Sequence, residues 1–189
     1  MSNDDTALLT INGGTLNVNA GGDGLDSNGN LVINGGETYI SGPVDNGNSA
    51  IDYGDGATAT INGGTLVALG SSGMVESFSD ASTQGMITIS ASGAAGDEVS
   101  IVDSSANVLA SYTAQKQFNC VQISTAGLSV GESYTVAVAG IQSEVTLDSV
   151  IYSEVSGGMR GADSPGSVGF APQKGNQMDV SNKNQLPNR

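Results

Sequence analysis

The chain has 189 residues, with 19 Asp and Glu against 5 Lys and Arg, no His, and a formal net charge of −14. This balance excludes nucleic acid as an expected partner, because a phosphate backbone needs a basic surface. The lack of His also removes the usual general base and the favoured transition-metal ligand. No apolar run approaches the ~20 residues needed to span a bilayer, and residues 1–6 lack the basic-then-apolar pattern of an export signal.

In chain order, the first feature is a repeat. Ile-Asn-Gly-Gly occurs at residues 11–14, 33–36 and 61–64, at offsets of 22 and 28 residues. These are lengths for one coil of a β-solenoid, the longer one carrying a loop insertion. Superposing the copies aligns Leu9 with Leu31 and Ala59, Ile11 with Ile33 and Ile61, Leu16 with Thr38 and Leu66, and Val18 with Ile40 and Ala68. The aligned columns alternate with polar positions, the period-two signature of short strands with one buried face. The Gly-Gly pairs predict tight corners with positive backbone angles. Asn12, Asn34 and Asn62 are expected to stack as a hydrogen-bonded ladder. A stack that begins at Leu8 exposes an apolar cross-section and an open edge, so further coils, and any export signal with them, are expected upstream.

Residues 21–30, Gly-Gly-Asp-Gly-Leu-Asp-Ser-Asn-Gly-Asn, place two carboxylates and two amides in one turn. In the second copy, Ser49-Ala50-Ile51-Asp52 aligns with Asp23-Gly24-Leu25-Asp26, and rungs of a parallel sheet lie ~4.8 Å apart. Asp26 and Asp52 would then be like charges at close range, costly unless one is protonated or a cation sits between them. Asp23, Asp26, Asn28, Asn48, Asp52 and Asp55 are therefore the candidate ligands of Ca²⁺, a hard ion that takes carboxylate, amide and carbonyl oxygens. In the third copy Gly73-Met74-Val75-Glu76 stands at this place, and the ladder changes character. A solvated acidic turn without metal is the competing reading. The start of the turn matches the calcium-binding nonapeptide of β-roll toxins, but in one copy and at the wrong period, and no Glu closes a twelve-residue EF-hand loop after Asp23.

From Gln84 onward, alternating runs predict longer strands at residues 86–91, 98–103, 108–113, 118–124, 133–138 and 144–151, arranged as an antiparallel sheet or small sandwich that caps the stack. Cys120 reads as a small buried apolar residue and cannot form an internal disulfide. Tyr112 and Tyr134 read as packing residues, with sugar stacking as the alternative. Residues 156–189, rich in Gly, Pro, Ser, Asn and Gln, hold four of the five basic residues and read as a disordered tail. The expected architecture is thus all-β: right-handed parallel β-helix coils over 1–83, an antiparallel β cap over 84–155, and the tail.

The run Asp-Gly-Leu-Asp-Ser-Asn-Gly-Asn-Leu-Val-Ile-Asn-Gly-Gly, with Asn46-Gly47, Ala50-Ile51-Asp52 and the segment 63–74, resembles a family of extracellular bacterial carbohydrate-binding proteins. The likeness covers residues 8 to about 153. It implies a pectate-lyase-like parallel β-helix, bound calcium, and a polysaccharide partner, cellulose or acidic sugars. Tyr39, Asp45, Asn46 and Tyr53 are the candidate sugar-contacting residues. The chain has no Trp, so metal and hydrogen bonds rather than ring stacking are expected to hold a charged or soluble glycan. A monomer without catalytic residues is expected. Pectate-lyase elimination needs a base, and no Lys, Arg or His precedes Lys116. Two alternatives stay open: a polygalacturonase-like hydrolase using paired carboxylates among Asp23, Asp26, Asp52 and Asp55, and a structural cell-surface or adhesin segment.

Overall fold

The strands of the first part are short and change direction at glycines: β1 (Leu8–Ile11), β2 (Thr15–Asn19), β3 (Leu25–Ser27), β4 (Asn30–Ile33), β5 (Glu37–Ser41), β6 (Ile51–Tyr53), β7 (Ala59–Ile61) and β8 (Thr65–Gly70). They belong to a computed structural model that describes residues 7–155. Residues 1–6 and the segment 156–189, read from sequence as a tail, lie outside the described residues. Among the described residues there is no helix, and no sheet closes into a barrel.

Each Ile-Asn-Gly-Gly joins two strands of one copy. The second glycine carries the turn: φ is +84° at Gly14, +89° at Gly36 and +90° at Gly64, where an L side chain is strained. The corners also stack by backbone. Asn34 N donates to Ile11 O and Asn62 N to Ile33 O, both at 2.7 Å, while Glu37 N donates to Gly14 O and Thr65 N to Gly36 O, both at 2.8 Å. A Cβ at Gly36 would lie 2.6 Å from Gly14 O, and one at Gly64 2.5 Å from Gly36 O, whereas a Cβ at Gly14 would meet nothing. The asparagine ladder is present: Asn34 Nδ2 donates to Asn12 Oδ1 at 2.9 Å and Asn62 Nδ2 to Asn34 Oδ1 at 3.0 Å.

The sequence columns are the observed register. In the parallel sheet β1-β4-β7, Leu9 pairs with Leu31 and Leu31 with Ala59, and Ile11 with Ile33 and Ile33 with Ile61. β2, β5 and β8 pair in parallel with Leu16, Thr38 and Leu66 in one column and Val18, Ile40 and Ala68 in another. β3 and β6 form a third, two-stranded parallel sheet. Leu31, Ile33, Ile40, Ile51, Ile61, Leu66 and Met86 converge with Phe78 on one buried core. Thr38 interrupts it, because its Oγ1 is buried with no hydrogen-bond partner.

The second part comprises β9 (Met86–Gly93), β10 (Glu98–Asp103), β11 (Val108–Thr113), β12 (Phe118–Ser124), β13 (Ser133–Val138), β14 (Ile141–Thr146) and β15 (Ile151–Ser153). Four of the expected strands, β10 to β13, have the expected bounds. The run 144–151, read as one strand, is instead the end of β14, a turn, and β15. Its start was hidden because β13 and β14 are joined by Ala139-Gly140, with φ of +49° and +83°. Alanine is not a residue that announces such a hairpin.

Residue 83 does not divide one sheet from another. A six-stranded sheet runs β15-β9-β12-β8-β5-β2, with β8 of the third copy paired antiparallel to β12. Leu66 and Ala68 of β8 face the core of the repeats, while Val67 and Leu69 face a second core. That second core lies between this sheet and the antiparallel sheet β11-β10-β13-β14, and includes Ile87, Ile89, Val121, Ile123, Val99, Ile101 and Val136. Burial of both faces is why β8 reads Leu-Val-Ala-Leu without polar alternation. The turn after β11 grips the repeats: Lys116 Nζ donates to Ala20 O, Gln115 N to Ser41 Oγ, and Asn19 Nδ2 to Gln115 Oε1.

Three substitutions test these points. Gly14→Ala is expected to cost roughly 1–2 kcal/mol, the strain of a left-handed Ala, and Gly36→Ala clearly more, because its Cβ must also displace the carbonyl of Gly14; the urea midpoints of the two variants measure the difference. Thr38→Val keeps the shape and removes an unpaired hydroxyl, so it is expected to stabilise the chain by about 1–3 kcal/mol, read as a higher denaturation midpoint.

Candidate functional site

The acidic turn and its counterpart are brought together by β3 and β6. Gly24 N donates to Ser49 O at 3.1 Å and Leu25 N to Ala50 O at 3.0 Å, so Leu25 and Ile51 point inward and the residues after them point outward. Asp26 and Asp52 are Cα partners in this pair. The approach is close because Gly24 lacks a side chain: a Cβ there would lie 2.6 Å from Ile40 Cγ2. Asp23 stands at the entrance, its Oδ1 accepting from Ser49 N at 2.7 Å.

A third acidic residue, placed here by the alignment but not among the expected ligands, stands next to the pair. Glu76 Oε2 accepts from Tyr53 N at 3.0 Å, which sets its carboxyl beside the β6 rung. Its pKa is raised from the ordinary 4.5 to about 7: half-burial desolvates the anion, and the charges of Asp52 and Asp23 add to the rise, against the lowering effect of the Tyr53 N–H. Glu76 falls at the position of Asp26 and Asp52 when Gly73-Met74-Val75-Glu76 is laid under the first two copies. The alignment held the signal, and the longer side chain obscured it.

The other expected ligands are distributed more widely. Asn28 is exposed in the turn after β3, and Asp55 is exposed in the turn after β6. These turns are adjacent, since Gly54 N donates to Gly29 O at 3.1 Å. Asn48 lies in the loop that makes the second repeat longer, and its Nδ2 donates to Asp45 Oδ1 at 3.0 Å. Among the described residues, no group of three or more Cys, Asp and Glu side chains is arranged to hold a metal ion. A shell on this face therefore has to combine carboxylates with amide and carbonyl oxygens. The donors are all oxygen, and the sole Cys is elsewhere, buried, with its thiol pushed up to about 12 by desolvation. Such a set suits a hard cation.

Of the expected sugar contacts, Asp45 and Asn46 sit on the inserted loop. Asp45 Oδ1 accepts from Gly47 N at 2.9 Å as well as from Asn48, and these two bonds hold its pKa below the usual range. Asn46 Oδ1 accepts from Ser71 Oγ. Tyr53 packs, partly buried, against the core of the repeats, with its hydroxyl donating to Ser77 O at 2.7 Å. Tyr39 is remote from this face. Its ring stacks on Tyr112 with centroids 5.3 Å apart, at the border of the second core. Tyr134 is buried and spends its hydroxyl on Gly127 O and Ser129 N. The structure thus brings together Asp23, Asp26 and Asp52 with Glu76, turns Tyr53 onto the core of the repeats, and sets Asp45, Asn46 and Asn48 on the inserted loop.

No protein-family model, curated protein or solved structure matches this chain.

The raised pKa of Glu76 has a defined sign. A carboxyl whose folded-state pKa lies above its unfolded value contributes stability below about 4.5 that is lost as pH rises through about 7. Thermal melts across pH 4 to 8, a window of about four units, are expected to show this loss in the unmodified chain. Glu76→Gln should flatten that part of the profile and melt higher at the alkaline end.

Proposed function

We propose that residues 7–155 act as a non-catalytic, calcium-dependent carbohydrate-binding domain of an extracellular or cell-surface protein. In this reading the three copies are coils of a right-handed parallel β-helix, and residues 84–155 are its antiparallel cap. The parallel register of the copies supports the coils, and the general handedness of parallel crossovers supports their right hand. The resemblance in residues 8–153 supplies the ligand class.

One observation carries the proposal: Asp26 and Asp52 are paired side by side on one outward face, with Asp23 at its entrance and Glu76 beside the β6 rung. At an effective dielectric near 20, each close like-charge pair costs up to ~4 kcal/mol before screening. A bound divalent cation reverses that sign and presents positive charge to an acidic sugar. Asp26 and Asp52 would hold it, completed by amide and carbonyl oxygens from the turns of Asn28, Asn48 and Asp55. Asp45, Asn46 and Tyr53 would give hydrogen bonds to sugar hydroxyls. Flexible oxygen shells of this kind bind Ca²⁺ at extracellular concentrations.

A glycan array run with Ca²⁺ and with chelator tests the reading. Binding of uronate-containing or β-glucan ligands that chelator abolishes is expected; retention of nothing in either condition would leave the structural, adhesin-like role. Independently, calcium at a hundred times its dissociation constant should stabilise the fold by ~2.7 kcal/mol. Asp26→Asn should weaken that effect without unfolding the chain, and Mg²⁺ should substitute poorly. An unchanged melting temperature on chelation would remove calcium from the account.

A second reading rests on Glu76. A carboxyl still protonated near neutral pH beside a carboxylate is the acid–base pairing of glycoside hydrolysis. It ranks lower because the pocket against Glu76, lined by Val75, Ser77, Thr88, Ser153 and Val155, has a volume of about 20 Å³, room for about one water. Incubation with polygalacturonate and Ca²⁺ is expected to yield neither unsaturated products nor new reducing ends, and a steady release of either would make the domain an enzyme.

A further inference from the structure

The two ends of the repeat stack are finished differently. After the third copy the chain folds back over it: Ser79 N donates to Ala59 O at 2.8 Å, Thr83 N and Gln84 N to Ile61 O at 3.2 Å, and Gln84 Nε2 to Gly64 O at 2.9 Å. Even the asparagine ladder is closed there, by Thr83 Oγ1 on Asn62 Oδ1 at 3.3 Å. At the first copy, β1, β2 and β3 each pair on one side only among the described residues. The ladder runs towards this end with its donors leading. Asn62 gives to Asn34 and Asn34 to Asn12, but Asn12 Nδ2 meets no acceptor among the described residues.

The apolar columns record the same asymmetry. Leu31, Ile33 and Ile40 are sealed, at 0–1% exposure, because a copy lies on each side of them. Their equivalents Leu9, Ile11 and Val18 are half-open, and Leu8 and Leu16 are 60% and 36% exposed. An edge with free backbone groups and exposed apolar side chains is a template for a further strand.

We propose that this edge is a docking surface for one further turn of the same repeat: a polypeptide segment that carries Ile-Asn-Gly-Gly and enters in parallel register. The complement is known because it continues an interface already in the molecule. The face that the first copy turns outward is the face that the second and third copies turn towards their neighbours. An incoming Asn would place its Oδ1 on Asn12 Nδ2, and its glycine carbonyl on the backbone amide of Thr15, as Gly14 O does for Glu37 N. A close-fitting glycine corner is needed on the first copy, and Gly14 supplies it. A folded second copy of this chain is not the occupant, because its own complementary face, that of the third copy, is already covered by residues 79–84.

The test splices a second copy of residues 9–30 into the full chain ahead of Leu9, which preserves the 22-residue period. Amide hydrogen exchange is read at the original β1 and β2, with β8 and β12 as the internal check of folding. The original β1 and β2 amides are expected to exchange on the order of tenfold or more slowly than before, as interior strands do relative to edges, with the added copy taking over the fast-exchanging edge. The same insertion carrying Ile11→Asp and Leu16→Asp in the added copy should leave the original strands at their former rates. Unaltered exchange at β1 and β2 in a chain whose β8 and β12 remain protected would overturn the proposal, and so would global unfolding on insertion of the unaltered copy. Sedimentation of the unextended chain supplies the last arm: a monomer is expected, and a dimer that protects β1 and β2 would show that the edge serves self-association instead.

Discussion

In-register parallel pairing is the constraint from which the rest of this molecule follows. Because equivalent residues of successive copies stand about 4.8 Å apart, whatever chemistry one copy places at a position is repeated directly beside itself. For Leu and Ile this is favourable, since each buries its neighbour, and a fully buried aliphatic side chain contributes about 1.5–3 kcal/mol. For Asn it is also favourable, because an amide carries both a donor and an acceptor and so can bond to a copy of itself. For a carboxylate it is unfavourable. Asp26 beside Asp52 is such a pair, and the half-buried Glu76 next to it holds its proton to about pH 7, chiefly through desolvation.

The same constraint explains why the repeats do not stand apart from the strands that follow. β8 ends the series of copies and must be covered, and its alternate residues supply two cores at once. β12 pairs with it antiparallel, so the change from parallel to antiparallel pairing occurs inside one sheet rather than between two domains. The polar residues of β12 are used at this junction. Gln122 Nε2 donates to Glu76 O, and Ser124 Oγ donates to Gly85 O while accepting from Gln84 Nε2. The backbone of the acidic segment is thereby tied to the central sheet, so the Glu76 carboxyl is held on a rigid support. The stacked Tyr39 and Tyr112 and the Gln115–Lys116 turn provide a second tie at the opposite end of the strands.

The sequence by itself determined the β class, the register of the three copies and most strand bounds in the second part. These rest on local and periodic information: the side-chain period of two, the glycine corners, and identity between copies, which is equivalent to knowing the contacts. The pairing of Asp26 with Asp52 was legible for the same reason. Tertiary structure alone decided the rest. That β8 and β12 share a sheet depends on non-local pairing for which no repeat exists. That Tyr39 is spent on Tyr112 rather than offered to a ligand depends on β11, a strand distant along the chain. That Glu76 is protonated near neutrality depends on burial and on the charges of Asp52 and Asp23, because a pKa is set by desolvation and neighbouring charge, and neither is a property of a residue's position in sequence.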